Sequence, residues 1–341
     1  MISWGILSTA RIGLTAVAPA ILAVPEARLA GVASRTPEKA NEFLADLGRD
    51  TGRRLEDVKV YDSYDALLDD PDIDAVYIPL PNSMHSEWTI KAAKAKKHIL
   101  CEKPMAVDAQ QARYTIDFCK NEGVLFMEAF MYQFHPQYQR IREILAAGRI
   151  GEMRLIRSAF TFPLLNRQDI RYSKALAGGS LMDVGCYCIH SARLLFGEEP
   201  ISVAASAVME NGVDTTLTGI LDFSRGRMAI FDVSFTMPRR QLLEIVGTEG
   251  VILVERPWKA EGLETRLLVG SGLGDGDCSG FEAIAVPAAS AYQLEVEAFC
   301  QAIEGKRPLP VDPETSYRNM LVIDAVRKAA ESGKTVCLSS S

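Results

Sequence analysis

The stretch Ile2-Ser3-Trp4-Gly5-Ile6-Leu7-Ser8-Thr9-Ala10-Arg11-Ile12-Gly13 decides the fold. An apolar run of strand length, Ile2–Leu7, ends in small residues and passes directly into a helical pattern over Ile12–Val24. The pairing recurs along the first third of the chain. Leu29–Ala33, Ala75–Ile78, His98–Cys101 and Val124–Met127 read as buried strands, and Pro37–Leu47, Tyr64–Leu68, Glu87–Lys96 and Ala109–Asn121 as helices between them. Pro37 suits a first helical turn and Gly123 a helix stop. Strands alternating with helices predict a parallel sheet covered on both faces, and right-handed crossovers make it a doubly wound α/β fold.

Beyond residue 126 the rhythm changes. A helix over Phe134–Gly148, a long strand over Glu152–Phe162 and a helix over Leu181–Phe196 precede five strand-length runs: Ile201–Glu210, Asp214–Phe223, Arg227–Phe235, Gln241–Gly247 and Val251–Glu255. Short turns such as Asn211-Gly212 and Arg225-Gly226 join them, which predicts an antiparallel sheet. Helices over Ala291–Ile303 and Pro313–Ser332 close the chain, and Val269–Gly280, rich in Gly, Ser and Asp, reads as a mobile surface loop. The expected division is an α/β domain over 1–126 and an α+β domain over 127–341. No helix is left to cover the outer face of the Ile201–Glu255 strands. Because exposed apolar sheet is unfavourable, a homo-oligomer is expected, a dimer through that sheet.

Composition fits two such domains. The 341 residues are 48% hydrophobic and 24% charged, with a formal net charge of -7. A mild acidic excess argues against a general nucleic-acid or membrane-surface binder, both of which need a basic face. The seven cysteines, Cys101, Cys119, Cys186, Cys188, Cys278, Cys300 and Cys337, form neither a metal pattern nor a disulfide framework. Buried thiols and a reducing compartment are expected. No secretory leader is recognisable and no apolar run reaches the ~18 residues of a membrane helix, so a cytoplasmic location is expected.

In an open parallel sheet the first strand–helix turn cradles a pyrophosphate on a helix N-terminus. The usual three glycines would fall on Ser8, Ala10 and Gly13, and only the third is present. Small side chains still allow close backbone approach. At the end of the second strand, NAD-binding folds place an acid for the ribose hydroxyls. Here Ser34 and Arg35 follow Ala33, with Lys39 one helical turn on. Arg and Ser bind a 2′-phosphate that an acid would repel, which favours NADP over NAD. Glu102-Lys103-Pro104 follows the strand His98–Cys101, where ligand sites of parallel sheets lie. Asp183, Tyr187 and His190 are spaced i, i+4, i+7 on one helical face. A structural account of the same residues is a capping box made by Ser180 and Asp183, with Tyr187 and His190 in the core.

Together these residues resemble the glucose–fructose oxidoreductase/inositol dehydrogenase/MocA family, in the branch of dihydrodiol dehydrogenase and NADP-dependent D-xylose dehydrogenase. The resemblance is carried by Trp4–Ile12, Ala33–Arg35, Ala75–His85, Cys101–Pro104, Glu128–Pro136 and Gly178–Tyr187. It implies an N-terminal Rossmann domain and a C-terminal domain with an open, mostly antiparallel sheet, which often forms the dimer interface in relatives. It implies that Lys103 and Asp183 belong to the catalytic set, with Tyr187 where other branches carry His. It places Ser8, Thr9, Ala10, Arg11, Ile12, Ser34, Arg35, Lys39, Leu80, Pro81, Asn82, His85, Glu102, Lys103, Arg171 and Tyr292 around the cofactor. Gln133 stands where relatives often have Arg.

The expected activity is hydride transfer between NADP and a secondary alcohol or carbonyl of a sugar or cyclic trans-diol. Phe160, Phe162, Arg167 and His190 are expected to line the substrate. Tyr187 is the expected proton carrier and Lys103 the alternative. A ketosugar or anhydrofructose reductase is the neighbouring reading. A nicotinamide-binding regulator without turnover would not need the Lys103, Asp183 and Tyr187 set, and a purely structural subunit would not need Arg35.

Overall fold

In this computed structural model, residues 1–271 and 280–338 are described. The chain forms two compact units: Met1–Met131 with Tyr292–Tyr317, and Tyr132–Ala291 with the chain from Arg318 on.

The first unit holds six parallel strands: β1 (Ile2–Leu7), β2 (Ala27–Ala33), β3 (Lys59–Tyr61), β4 (Ala75–Ile78), β5 (His98–Glu102) and β6 (Phe126–Ala129). Their order is β3-β2-β1-β4-β5-β6, so the chain reverses direction across the sheet between β1 and β4. Every residue of β1 and β4 is buried, as expected of a sheet covered on both faces. The strand β3 is absent from the sequence reading. Its three residues, Lys-Val-Tyr, lie at the sheet edge and are only partly buried, so they give no apolar run. The helix Ala291–Ile303 also differs from the expected division, which put it in the second domain. Residues 292–317 belong to the first unit because Trp4 of β1 needs them. Its ring packs on Phe299 at 5.8 Å and its Nε1–H donates to Cys300 Sγ at 3.4 Å.

The second unit is built on nine strands: β7 (Met153–Thr161), β8 (Ser202–Glu210), β9 (Val213–Asp222), β10 (Met228–Ser234), β11 (Arg240–Gly247), β12 (Gly250–Val254), β13 (Thr265–Ser271), β14 (Glu282–Val286) and β15 (Val336–Cys337). They run in the order β14-β13-β12-β11-β7-β10-β9-β8-β15. Only β7 and β10 are parallel; the other neighbours are antiparallel. The sequence reading misses β13, β14 and β15. Val269–Ser271, expected in a loop, completes β13, whereas residues 272–279, Cys278 among them, lie outside the described residues. Along β9, Val213, Thr215, Leu217 and Leu221 are buried while Asp214, Thr216, Ile220 and Asp222 are only half-buried and Thr218 is exposed. One face of the sheet thus carries the core and the other stays partly open. Cys186 and Cys188 are buried thiols, as expected.

Among the described residues no helix is long and apolar enough to cross a membrane.

Candidate active site

The turn after β1 keeps the geometry of a glycine turn without the glycine. Ser8 has φ +131°, a region that side-chain-bearing residues rarely adopt. Two hydrogen bonds hold it there. Its hydroxyl donates to Pro79 O at 3.2 Å, and its Oγ accepts from the Ala10 N–H at 3.1 Å. The Thr9 and Ser34 hydroxyls are paired at 3.3 Å, joining the ends of β1 and β2. The helix that follows begins with one turn of π-helix over Gly13–Val17, a local widening common at functional sites.

Arg11, Arg35 and Lys39 are exposed around this edge. Among the described residues none of the three has a carboxylate partner. Arg35 is felt at Tyr64, where burial raises the phenol pKa and the Arg35 charge opposes it. Small residues in the turn, a helix N-terminus behind it and cations without carboxylates fit a nucleotide with a pyrophosphate and a further phosphate.

Lys103 follows β5, and its neighbours are fixed from three directions. The Tyr77 hydroxyl donates to Glu102 Oε1 at 2.7 Å. The Met105 N–H donates to Oε1 of buried Glu128 at 2.8 Å. His85 Nδ1 lies 2.7 Å from Pro104 O, and its Nε2 lies 2.7 Å from Leu80 O. The Lys103–Pro104 peptide is cis. Tyr292 belongs to this cluster, since burial pushes the Tyr77 phenol far up, with Glu102, Tyr292 and Glu295 adding to it. Leu80 is buried, Pro81 half-buried, and Asn82 opens a short 3₁₀ turn that leads into the helix of His85.

His85, expected beside the cofactor, is packed inside the first unit. It is 1% exposed and both ring nitrogens are taken by backbone carbonyls. It ties the loop after β4 to the loop of Lys103. Burial lowers its pKa to about 4. A neutral ring donates to one carbonyl only, so the second carbonyl works against that shift.

In the second unit Tyr187 is buried among aromatic rings, with centroids at 5.7 Å to Phe160, 5.8 Å to Tyr132 and 6.3 Å to Trp258. Phe160 stacks on Trp258 at 5.0 Å. Asp183 does not make the capping box considered above. A turn of π-helix over Leu181–Gly185 precedes the helix Cys186–Phe196, and Ser180 makes no side-chain cap bond to it. Instead Arg171 Nε donates to Asp183 Oδ2 at 2.8 Å while its Nη1 donates to Asp169. The Asp183 charge raises the Arg171 pKa. Phe162 packs on Phe235, and Arg167 pairs with Glu210 at 2.8 Å and lies over the Tyr172 ring. The sequence reading missed Trp258 and Tyr132, whose rings reach Tyr187 from 71 and 55 positions away.

His190 is fully packed, and its Nδ1 is hydrogen-bonded with the Tyr132 hydroxyl. Burial lowers its pKa to about 3, with the Arg193 charge adding to the shift. A folded-state pKa below the unfolded value of 6.5 contributes stability that is present above that value and lost as pH falls towards the folded one. Between pH 7.5 and pH 4 the loss should be on the order of 3 kcal/mol. Denaturant midpoints at both pH values should fall less for His190→Gln than for the wild type. Equal falls would remove His190 as the source.

Comparison with known proteins places the chain. Residues 2–130 match the model of an oxidoreductase family with an NAD-binding Rossmann fold, and residues 138–253 match the GFO/IDH/MocA C-terminal domain. D-xylose 1-dehydrogenase (NADP(+)) 2 from Haloferax volcanii is 37% identical over 335 residues, covering 98% of each chain. Trans-1,2-dihydrobenzene-1,2-diol dehydrogenase from Xenopus laevis is 35% identical over 255 residues, 74% of each. A 3-ketoreductase from Actinomadura kijaniata, solved with NADP and TDP-benzene, has a TM-score of 0.88 at 29% identity, covering 96% of this chain and 97% of that one. With both domain types present in order and a relative matched end to end, the chain belongs to the GFO/IDH/MocA family of NAD(P)-dependent oxidoreductases.

Proposed function

We propose that this enzyme uses NADP to oxidise a secondary alcohol of a sugar or cyclic trans-diol, or to reduce the matching carbonyl. The observation that carries the reading is Lys103, held at the carboxyl edge of a six-stranded parallel sheet by neighbours anchored on Glu128, His85 and Tyr77. Arg35 and Ser34 at the end of β2, with no acid there, support NADP. The xylose and dihydrodiol dehydrogenases among the relatives support the substrate class.

Bound NADP supplies the hydride acceptor, and the protein supplies orientation and proton handling. The turn Ser8–Ile12, with Arg11, would hold the pyrophosphate; Ser34, Arg35 and Lys39 would hold the 2′-phosphate. Tyr187 takes the hydroxyl proton in oxidation and returns it in reduction. A free tyrosine has a pKa near ~10, and a cation beside it would favour the phenolate and lower it; Lys103 is the residue we assign to that charge. Asp183, steadied by Arg171, orients the substrate. In the alternative assignment Lys103 moves the proton and Tyr187 positions the alcohol. The likeness to a 3-ketoreductase favours a second reading, carbonyl reduction on a ketosugar by the same groups.

Following NADPH absorbance with aldoses, polyols and trans-dihydrodiols in one direction, and ketosugars in the other, tests the function. Turnover with an aldose or diol supports the reading. Turnover with ketosugars alone supports the second, and none with any would overturn both.

We also infer a homodimer through the open face of the β8–β9 region, where Val208 and Met209 are 62% and 56% exposed. Sedimentation at micromolar concentration should give a dimer; a monomer throughout would refute it.

A further inference from the structure

Asp214 lies at the start of β9, 31 positions from Asp183, yet its side chain ends on the segment that carries Asp183 and Tyr187. One carboxylate oxygen, Oδ2, accepts two hydrogen bonds, from the Ser180 hydroxyl at 2.6 Å and the Leu181 N–H at 2.7 Å. The other lies so close to Gly179 that a β-carbon there would stand 2.3 Å from it, and Gly179 has φ +114°. Only glycine fits that place. The π turn over Leu181–Gly185 opens with no cap from its own preceding side chain, and a carboxylate from a distant strand satisfies the Leu181 N–H at its start. Such a cap also sets negative charge against the positive end of the turn.

The anchoring continues to Tyr187. The Asp183 N–H donates to Gly179 O at 3.0 Å. The carbonyl of Leu181, whose N–H Asp214 holds, accepts from the Cys186 N–H. Asn319 Nδ2 donates to the Cys186 carbonyl at 3.3 Å, so Cys186, the residue before Tyr187, is held at both its N–H and its carbonyl. We propose that Asp214 is a positioning residue for the reaction: through Ser180 and Leu181 it sets the π turn and so aims the Asp183 carboxylate and the Tyr187 hydroxyl. This rests on the assignment of Tyr187 to proton transfer made above.

A misplacement near 1 Å costs an enzyme about 10²-fold. Asp214→Ala should therefore lower kcat by about 10- to 100-fold, with the NADPH Kd, read by fluorescence titration, unchanged. One amide oxygen can accept both hydrogen bonds, so Asp214→Asn should keep most of kcat. Ser180→Ala, which removes one bond, should fall between them. In a Tyr187→Phe background Asp214→Ala should cost less than it does in the wild type, because only the aim of Asp183 is left to lose. Wild-type kcat in Asp214→Ala with a lowered melting point would mark a merely structural role and overturn the proposal. An Asn variant as slow as the Ala variant would overturn it too. If Asp214→Ala does not fold, Ser180→Ala decides, and wild-type turnover there is a refutation. Wild-type turnover in Tyr187→Phe removes the Tyr187 reading itself, whereas a strong Tyr187→Phe defect beside a silent Asp214→Ala removes only the positioning role.

Discussion

Tyr187→Phe is expected to lower kcat by about 10²–10⁴-fold, the usual contribution of general acid–base catalysis. The ring and its contacts with Phe160, Tyr132 and Trp258 remain, so the melting point should move little. Cofactor affinity should be unchanged, because the residues assigned to the two phosphate groups are not touched. Lys103→Met should be comparably damaging, since it removes the charge proposed to favour the phenolate. If both serve one proton transfer, the double variant loses less than the product of the two single effects. Measured kcat, melting point and pH–rate profile separate this from a packing role. A core Tyr→Phe change would cost stability and leave turnover within a few-fold. Near-normal turnover would leave Lys103 as the proton carrier.

Arg35→Ala should weaken NADP binding by roughly 10- to 150-fold, which corresponds to the loss of one charge-assisted contact of about 1.5–3 kcal/mol. NAD binding should barely change. The physical basis is an exposed guanidinium at the end of β2, without a carboxylate partner among the described residues, beside the Thr9–Ser34 hydroxyl pair. Titration of both nucleotides against wild type and variant checks this, and equal losses for the two would refute a 2′-phosphate contact. The effect should weaken in high salt, because the side chain is exposed and screening acts on such contacts.

The parallel sheet was legible because its central strands are buried on both faces and so appear as unbroken apolar runs. Edge strands such as β3 and β14 do not, since Lys59 and Glu282 face solvent and interrupt them. The turn Ser8–Gly13 and Lys103 could be placed because both sit at chain positions that the doubly wound topology sends to one sheet edge. The hydrogen bonds of His85 left no signal in the sequence, because its two partners are backbone carbonyls, which every residue has. Asp214 and Trp258 left no signal because the groups they meet are 33 to 98 positions away, and no spacing rule spans that distance. The capping-box reading failed on the same ground, as a third residue from another strand took the place of the local cap.

The return of residues 292–317 to the first unit has a consequence for synthesis. When the ribosome has delivered Met131, all six strands of the parallel sheet exist, but the residues that close over Trp4 do not. About 160 residues (Tyr132–Ala291) separate the two segments. At roughly 5–20 residues per second, the nascent unit waits about 8–30 s with an indole exposed at its first strand. A fragment ending at Met131 should therefore be a substrate for chaperones, and adding residues 292–317 as a separate peptide should bury Trp4 and shift its fluorescence to shorter wavelength.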